Sequence, residues 1–270
     1  MTHSQGKLYL VPAPLDFGCT EQAPLDAALP RATLEVAARL THWICENAKS
    51  TRAYLNRIKA LGPMQNGREA LSIPERRIQD LLIHELPHQA HKKGDHAGSA
   101  GHFDARPLLA AALAAGGGHD IGLCSEAGMP AVADPGSAVV RAAHDLGMEV
   151  VPLVGPVSLM LALAASGLNG QNFAFVGYLP QEATERVQRI RQLESLALKT
   201  GQTQLFIETP YRNEALLDAM LQSLESNTRL ALASGLTLPD GQVQSRTVKQ
   251  WKHNPPSPGK DTPVVFAIGR

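Results

Sequence analysis

Leu123-Cys124-Ser125-Glu126-Ala127-Gly128-Met129-Pro130-Ala131-Val132-Ala133-Asp134-Pro135-Gly136 is the stretch on which the fold turns. An alanine-rich, helix-like run, Ala110–His119, precedes it and contains three glycines, Gly116–Gly118. A second helical run, Ala138–Leu146, and a short apolar strand, Glu149–Val154, follow it. An apolar strand that runs into small residues and then into a helix is where open α/β folds bind ligands. Small residues let a ligand approach the backbone, and the next helix start offers free N–H groups. On its own the stretch reads equally well as an ordinary strand-to-helix turn.

The chain has 270 residues, enough for one large or two modest domains. Its hydrophobic fraction of 44% supplies an ample core, and its formal net charge is zero. Zero charge argues against nucleic-acid binding by bulk charge and leaves room for a local basic patch. One such patch is visible. Glu46–Lys93 carries nine basic and five acidic residues, an excess of +4. The three cysteines, Cys19, Cys45 and Cys124, contain no CxxC and read as reduced thiols of a cytosolic protein. The N-terminus lacks the apolar core of a signal peptide. No apolar run reaches membrane-spanning length, since Val150–Leu168 is broken by Pro152, Gly155 and Pro156. A cytoplasmic protein without a membrane segment is expected.

Outward from the opening stretch, the pattern alternates strand and helix. Lys7–Val11 reads as a strand closed by Pro12-Ala13-Pro14-Leu15, a loop stiffened by two prolines. Trp43–Cys45 is a short strand, and a basic helical run begins at Glu46. Phe103–Ala115 reads as a helix, Asp120–Cys124 as a strand, and Glu149–Pro152 as another. Pro156 suits the first turn of a helix over Leu159–Ser166. Repeated strand-helix units predict a mostly parallel N-terminal sheet over residues 1–170. From Asn172 onward, strands are joined both by helices and by hairpin-like turns, which predicts a mixed sheet over 171–270. His84–His102 reads as a solvated loop, and its histidines lack the spacing and partners of a zinc site, so no metal is expected.

Three loops follow apolar strands and carry Pro or Gly: Pro12–Asp16, Ser125–Gly136 and Gly155–Ser158. In a parallel sheet they share one edge and surround one cleft. The chain has no GxGxxG, no GxxxxGK[ST] and no GxSxG. These absences speak against a dinucleotide-binding, P-loop or nucleophile-elbow enzyme.

Several motifs together carry a family resemblance. They are Leu8–Pro14, Glu46-Asn47-Ala48-Lys49-Ser50-Thr51-Arg52, Ser125–Pro130 with Ala133–Gly136, Val151–Pro156, Phe175–Pro180 and Phe206–Arg212. In this order, over nearly the whole chain, the sequence resembles the tetrapyrrole-methylase superfamily of S-adenosylmethionine-dependent methyltransferases. It is most similar to the branch containing the 16S rRNA cytidine 2′-O-ribose methyltransferase. The resemblance implies two α/β domains with S-adenosylmethionine in the cleft between them, and a homodimer. It implies that Pro14 and Leu15 lie in the first cofactor loop. Ala127, Gly128, Met129 and Val132 would cradle the methionine end and ribose of the cofactor, and Val157 and Ser158 would line the same pocket. Glu208 and the strand Leu230–Leu236 would reach its adenine side. Met129 and Val132 are also readable as core, and Glu208 as a surface cap, but the joint match favours the cleft.

A sulfonium-bound methyl is already activated, so transfer needs alignment with the nucleophile. A neutral 2′-hydroxyl also needs a proton acceptor. Glu46, Glu126 and Asp134 are the candidates. Glu46 ranks first because Arg52, one to two turns along, is placed to hold a phosphate. Glu46 reads equally well as an acid complementing a helix dipole. The chain departs from the branch at Glu46–Lys49, where Glu-Asp-Thr-Arg is usual, at Asp16-Phe17, at Glu126 and Met129, and at Ala233–Leu238, which lacks the usual charges. The resemblance implies ribosomal RNA or the small ribosomal subunit as the acceptor, and these departures bear on that acceptor rather than on the fold or cofactor. A small molecule such as a tetrapyrrole, and a diverged cofactor-binding paralogue with little activity, are the alternatives.

Overall fold

The computed structural model describes residues 5–16, 18–19, 22–62, 77–87, 103–114, 117–256 and 262–270. It divides into two compact units. One holds the chain to Asp16 and from Ala23 to Pro156, and the other holds Val157–Arg270 with the segment 18–22. The division precedes the helix at Ser158, whereas the sequence suggests a boundary after it, near Gly167–Gln171. The helix goes with the second unit because its apolar residues pack on the second sheet.

The first unit contains β1 (Leu8–Leu10), α1 (Arg31–Arg39), β2 (His42–Cys45), α2 (Ala48–Ala60), β3 (Leu82–Glu85), β4 (Ile121–Cys124), α3 (Ser137–Asp145) and β5 (Val150–Pro152). The strands form one sheet in the order β3-β2-β4-β1-β5, and every pairing is parallel. Both faces are covered, so the strands are apolar without alternation. Tyr9, Trp43, Cys45 and Cys124 meet Leu34, Ala37, Tyr54, Leu55 and Ile58 of α1 and α2 on one face. Leu8, Ile44, Ile121 and Leu123 meet Leu109, Ala112, Val139 and Ala143 on the other. Gly122 pairs with Trp43 across the sheet. A Cβ at Gly122 would lie 2.7 Å from the Trp43 ring, so the missing side chain is what admits the indole.

The segment expected as a helix over Phe103–Ala115 is a 3-10 helix at Arg106–Leu113. Its last carbonyls are used outside it: Ala112 accepts from the Gly6 N–H and Ala111 from the His119 N–H. Those bonds tie it to the neighbouring chain rather than extend its own ladder.

The second unit contains α4 (Ser158–Ser166), β6 (Phe173–Tyr178), α5 (Ala183–Thr200), β7 (Thr203–Glu208), α6 (Asn213–Ser223), β8 (Arg229–Ser234), β9 (Gln242–Thr247), α7 (Val248–His253) and β10 (Val264–Gly269). Its sheet runs β6-β7-β10-β8-β9. Only β6 and β7 are parallel, and the other pairings are antiparallel. Side chains alternate cleanly. Leu205, Ala231, Ala233, Val265 and Ala267 face Leu159, Ala162 and Leu163 of α4. Phe206, Leu230, Leu232, Phe266 and Ile268 face α5, α6 and Trp251. The irregular alternation of β6 has a local cause. Its register with β7 shifts between Phe175 and Tyr178, and Gly177 there takes φ +73°, the signature of a bulge. Val157, not Pro156, is the N-cap of α4, so the proline sits one residue ahead of the helix rather than in its first turn.

Candidate functional site

The order of the first sheet fixes where its site lies. The chain moves one way along the sheet from β1 to β2 to β3, and the other way from β3 to β4 to β5. Neighbours β1 and β4 therefore send their connections in opposite directions, which opens a crevice at their carboxyl ends. The loop after β1 and the loop after β4 meet there. The Ala13 N–H donates to the Gly128 carbonyl at 2.9 Å, and the Gly128 N–H donates to the Ala13 carbonyl at 3.0 Å. Gly128 takes φ +69°, and a Cβ on it would stand 3.2 Å from Leu15 Cδ2. Leu15 is thus brought against Gly128, with Pro14 next to it in the chain. The third loop joins them, for a Cβ on Gly155 would lie 2.4 Å from Pro12 Cβ.

Helix α2 holds the first of these loops. The Tyr54 hydroxyl donates to the Pro12 carbonyl at 2.9 Å. Arg57, one turn on, donates to both Asp16 oxygens at 2.9 and 2.8 Å, and to the Ala23 carbonyl at 2.8 Å. The helix is itself fixed at its start by two caps. Asn47 Oδ1 accepts from the N–H groups of Lys49 and Ser50, and Glu85 Oε1, from the end of β3, accepts from the Ala48 N–H at 2.6 Å.

The loop after β4 is strained. Ala131 and Ala133 take φ +65° and +64°, a left-handed conformation that costs a residue with a Cβ on the order of 1–2 kcal/mol. Val132 between them is 40% exposed. Strain of this kind concentrates at ligand clamps.

Three carboxylates gather at this edge. Glu46 Oε2 accepts from the Glu126 N–H at 3.4 Å. Asp134 is half-buried, and its carboxyl is pushed up to about 7 by burial first, then by the charges of Glu46 and Glu126. Beside them the Ser125 Oγ and Glu126 Oε1 are buried with no hydrogen-bond partner among the described residues. Beneath lie two buried thiols, Cys45 and Cys124, in register on adjacent strands. Burial raises Cys45 and lifts Cys124 to about 12, so both stay protonated and serve as core. Arg52 is exposed on α2, with its charge felt at Cys45. The structure brings Glu46, Glu126 and Asp134 together, while Arg52 points to solvent.

Residues 46–251 match the model of the tetrapyrrole (corrin/porphyrin) methylases. The chain belongs to that family. Among curated members, the ribosomal RNA small subunit methyltransferase I of Mesorhizobium japonicum is 32% identical over 181 residues, covering 67% of this chain and 59% of that one. Its namesake in Vibrio cholerae is 37% identical over 120 residues, 44% of this chain and 40% of that one. The matches thus span about half the length of these relatives. The solved methyltransferase CobJ superposes with a TM-score of 0.52 at 15% identity, over 98% of this chain and 94% of that one, which shows a shared fold.

The second unit of this tetrapyrrole-methylase chain carries the other four residues singled out in the sequence. Val157 and Ser158 open α4, both half-buried. Leu236 is half-buried against the α4 side of the sheet. Glu208 is 2% exposed. It is committed internally: Oε1 accepts from the Thr209 N–H at 2.8 Å, and Oε2 lies 2.6 Å from Arg212 Nη2 as an ion pair without hydrogen-bond alignment. Sequence reasoning missed Tyr54, Arg57, Asp16 and Ser125. The i, i+3 spacing of Tyr54 and Arg57 on α2 was the available signal for those two, and no local pattern marks Asp16. Nothing in the sequence marks the Ser125 hydroxyl as unpartnered. Of the predicted histidine-rich loop, His84 lies exposed on β3, and His88, His91, His96 and His102 lie outside the described residues. Among the described residues no group of His, Cys, Asp or Glu side chains is placed to hold a metal ion.

Proposed function

We propose that this tetrapyrrole-methylase family member is an S-adenosylmethionine-dependent methyltransferase that acts on a ribose 2′-hydroxyl of ribosomal RNA. The curated relatives' names support the substrate class. The observation that carries the reading is the junction of Ala13 with Gly128 beside the carboxylates Glu46, Glu126 and Asp134. The residues present fit the cofactor. Its sulfonium and amino group are cationic, and the edge offers three carboxylates and an unpartnered buried Ser125 hydroxyl. Bound there, S-adenosylmethionine supplies a methyl group activated by its positive sulfur. Pro14, Leu15, Ala127, Gly128, Met129 and Val132 would hold it, with the bare Gly128 letting it approach the backbone.

Asp134 takes the role of proton acceptor in this reading, ahead of Glu46. A carboxylate near 7 both exists unprotonated at working pH and draws a hydroxyl proton more strongly than an ordinary one. Glu46 already accepts the Glu126 N–H and supplies negative charge that keeps Asp134 basic. The Asp134 carboxylate would take the 2′-hydroxyl proton as that oxygen accepts the methyl group, whose bond to sulfur would break to leave a neutral thioether.

The family resemblance also implies a homodimer, and α4 supports it. Its outward Met160 and Leu161 are 40% and 38% exposed on a helix apolar all round. Among the described residues no helix is long and apolar enough to cross a membrane, and a ribosomal substrate would support a cytoplasmic location.

Calorimetry with S-adenosylmethionine tests the cofactor, and no binding up to millimolar concentration would overturn it. Mass mapping of ribosomal RNA from a deletion strain tests the acceptor. Loss of one ribose methyl group is expected, and an unchanged map would overturn the ribosomal assignment. Light scattering tests the dimer, against which a monomer would count.

A further inference from the structure

The loop after β1, which carries Pro14 and Leu15, is pinned at both ends by one helix. At its start the Pro12 carbonyl accepts from the Tyr54 hydroxyl at 2.9 Å. At its end the two Asp16 oxygens accept from Arg57 at 2.9 and 2.8 Å. Tyr54 and Arg57 stand three residues apart on α2, so they share a side of the helix. Arg57 makes a third bond, to the Ala23 carbonyl at 2.8 Å, which ties in the far side of the same connection. Between the two pins lie the residues that meet the loop after β4. Ala13 exchanges backbone hydrogen bonds with Gly128, and Leu15 Cδ2 lies 3.2 Å from where a Gly128 Cβ would stand. That second loop is tethered at the start of the same helix, because Glu46, two residues before Ala48, accepts from the Glu126 N–H.

The pair of Arg57 with Asp16 is a poor source of stability in itself. The Asp16 side chain is 3% exposed and that of Arg57 23%. Removing two charges from water offsets much of their attraction. What the pair does select is geometry. A guanidinium fork that engages both oxygens accepts the carboxylate in one plane, and that fixes Asp16 and, one residue back, Leu15.

We infer that Arg57, acting through Asp16, and Tyr54, acting through Pro12, are positioning residues for the methyl donor, holding the loop after β1 in its cofactor-binding form before the cofactor arrives. Neither has to touch the cofactor. A loop ordered in advance loses little further freedom on binding, and a supporting layer of this kind keeps a binding loop in its productive geometry. The inference rests on the S-adenosylmethionine reading above.

The test is calorimetry with S-adenosylmethionine, run where circular dichroism shows each variant folded. Arg57→Ala is expected to weaken binding on the order of tenfold. Tyr54→Phe, which removes a single hydroxyl from a buried ring, should weaken it less. The double variant Asp16→Asn/Arg57→Ala separates positioning from stability. It removes the buried charge, so melting recovers in part, but the loop still lacks its pin, so affinity should stay as low as in Arg57→Ala. Glu194→Gln disturbs buried bonds to the Glu225 N–H and the Thr228 hydroxyl in the second unit. It serves as a destabilised control and should bind as wild type does. Hydrogen exchange at the Ala13 and Gly128 amides should quicken in Arg57→Ala and in the double variant, and not in Glu194→Gln. Affinity that returns with melting temperature in the double variant, or an equal loss in Glu194→Gln, would overturn the positioning role. Wild-type affinity in both Arg57→Ala and Tyr54→Phe overturns it and leaves the cofactor reading intact. A wild-type protein that binds no S-adenosylmethionine overturns both.

Discussion

Ala13 and Gly128 exchange both of their backbone hydrogen bonds, at 2.9 and 3.0 Å, and so stitch the loop after β1 to the loop after β4. The exchange requires Gly128 to sit at φ +69° with Leu15 close over it. Any side chain at 128 incurs a left-handed backbone penalty of about 1–2 kcal/mol and enters the proposed cofactor space. Gly128→Ala is therefore expected to lower stability by about 1 kcal/mol with a modest loss of S-adenosylmethionine affinity. Gly128→Trp is expected to abolish that binding in calorimetry while circular dichroism still reports a folded chain. Wild-type affinity in the tryptophan variant would remove Ala127–Val132 from the pocket.

The bidentate pair of Arg57 and Asp16 leads to a second expectation. Asp16 is 2% exposed, and Arg57 satisfies both of its oxygens. Removing one partner of such a pair leaves an uncompensated buried charge, at a cost of about 3–5 kcal/mol. Arg57→Ala should lower the melting temperature by several degrees, and Asp16→Asn/Arg57→Ala should recover part of the loss. Equal melting of Arg57→Ala and wild type would show that the pair does not hold the loop.

These two contacts differ in how legible they were. The meeting of the β1 and β4 loops follows from strand-helix alternation alone, because a parallel sheet gathers such loops at one edge. The parallel first sheet and mixed second sheet are likewise written in the connection patterns. Asp16 and Arg57 are 41 residues apart, and no local pattern pairs them. The placement of α4 escaped for a related reason. An apolar helix does not say which of two sheets it covers, and Leu159, Ala162 and Leu163 declare it only by packing on β8 and β10. Among the three acids weighed as proton acceptors, the sequence favoured Glu46 through its proximity to Arg52. In the proposed reading the role passes to Asp134, because burial, which a sequence does not display, raises its affinity for protons.

Gly122 offers a check on the core beneath the site. Its missing Cβ is what admits the Trp43 ring, with ring atoms 2.7 Å from the position a Cβ would take. Trp43 is fully buried and has no room to retreat. Gly122→Ala is expected to destabilise by about 1–3 kcal/mol through overpacking, which is about 2–4 °C per kcal/mol for a domain of this size. Gly122→Ala/Trp43→Phe should relieve much of the strain. A double variant no more stable than Gly122→Ala alone would mean that the ring is not the obstacle.

Asp134 separates stability from activity. Its carboxyl is raised from 3.8 to about 7 in the folded protein. Between about pH 4 and 7 the folded chain therefore holds a proton that the unfolded chain has released. Stability contributed at this position is full below about pH 4, falls as pH rises through 7, and is lost above it. Each tenfold gain in proton affinity on folding is worth at most about 1.4 kcal/mol. Solvent reaching a half-buried group reduces that, so a net cost of about 1–3 kcal/mol at pH 8 is reasonable. Asp134→Asn keeps the shape and removes the charge. Relative to wild type, it should gain about that much stability between pH 4.5 and pH 8 in denaturant titrations. Methyl transfer should run the other way. In the wild type the rate should climb through pH 7 as the carboxylate forms, and in Asp134→Asn it should be flat and lower by about 10²–10⁴-fold, the usual share of a general base. A purely structural Asp134 would give the stability change with an unaltered pH–rate profile. An unaltered stability profile would show instead that the carboxyl is not held protonated near neutrality.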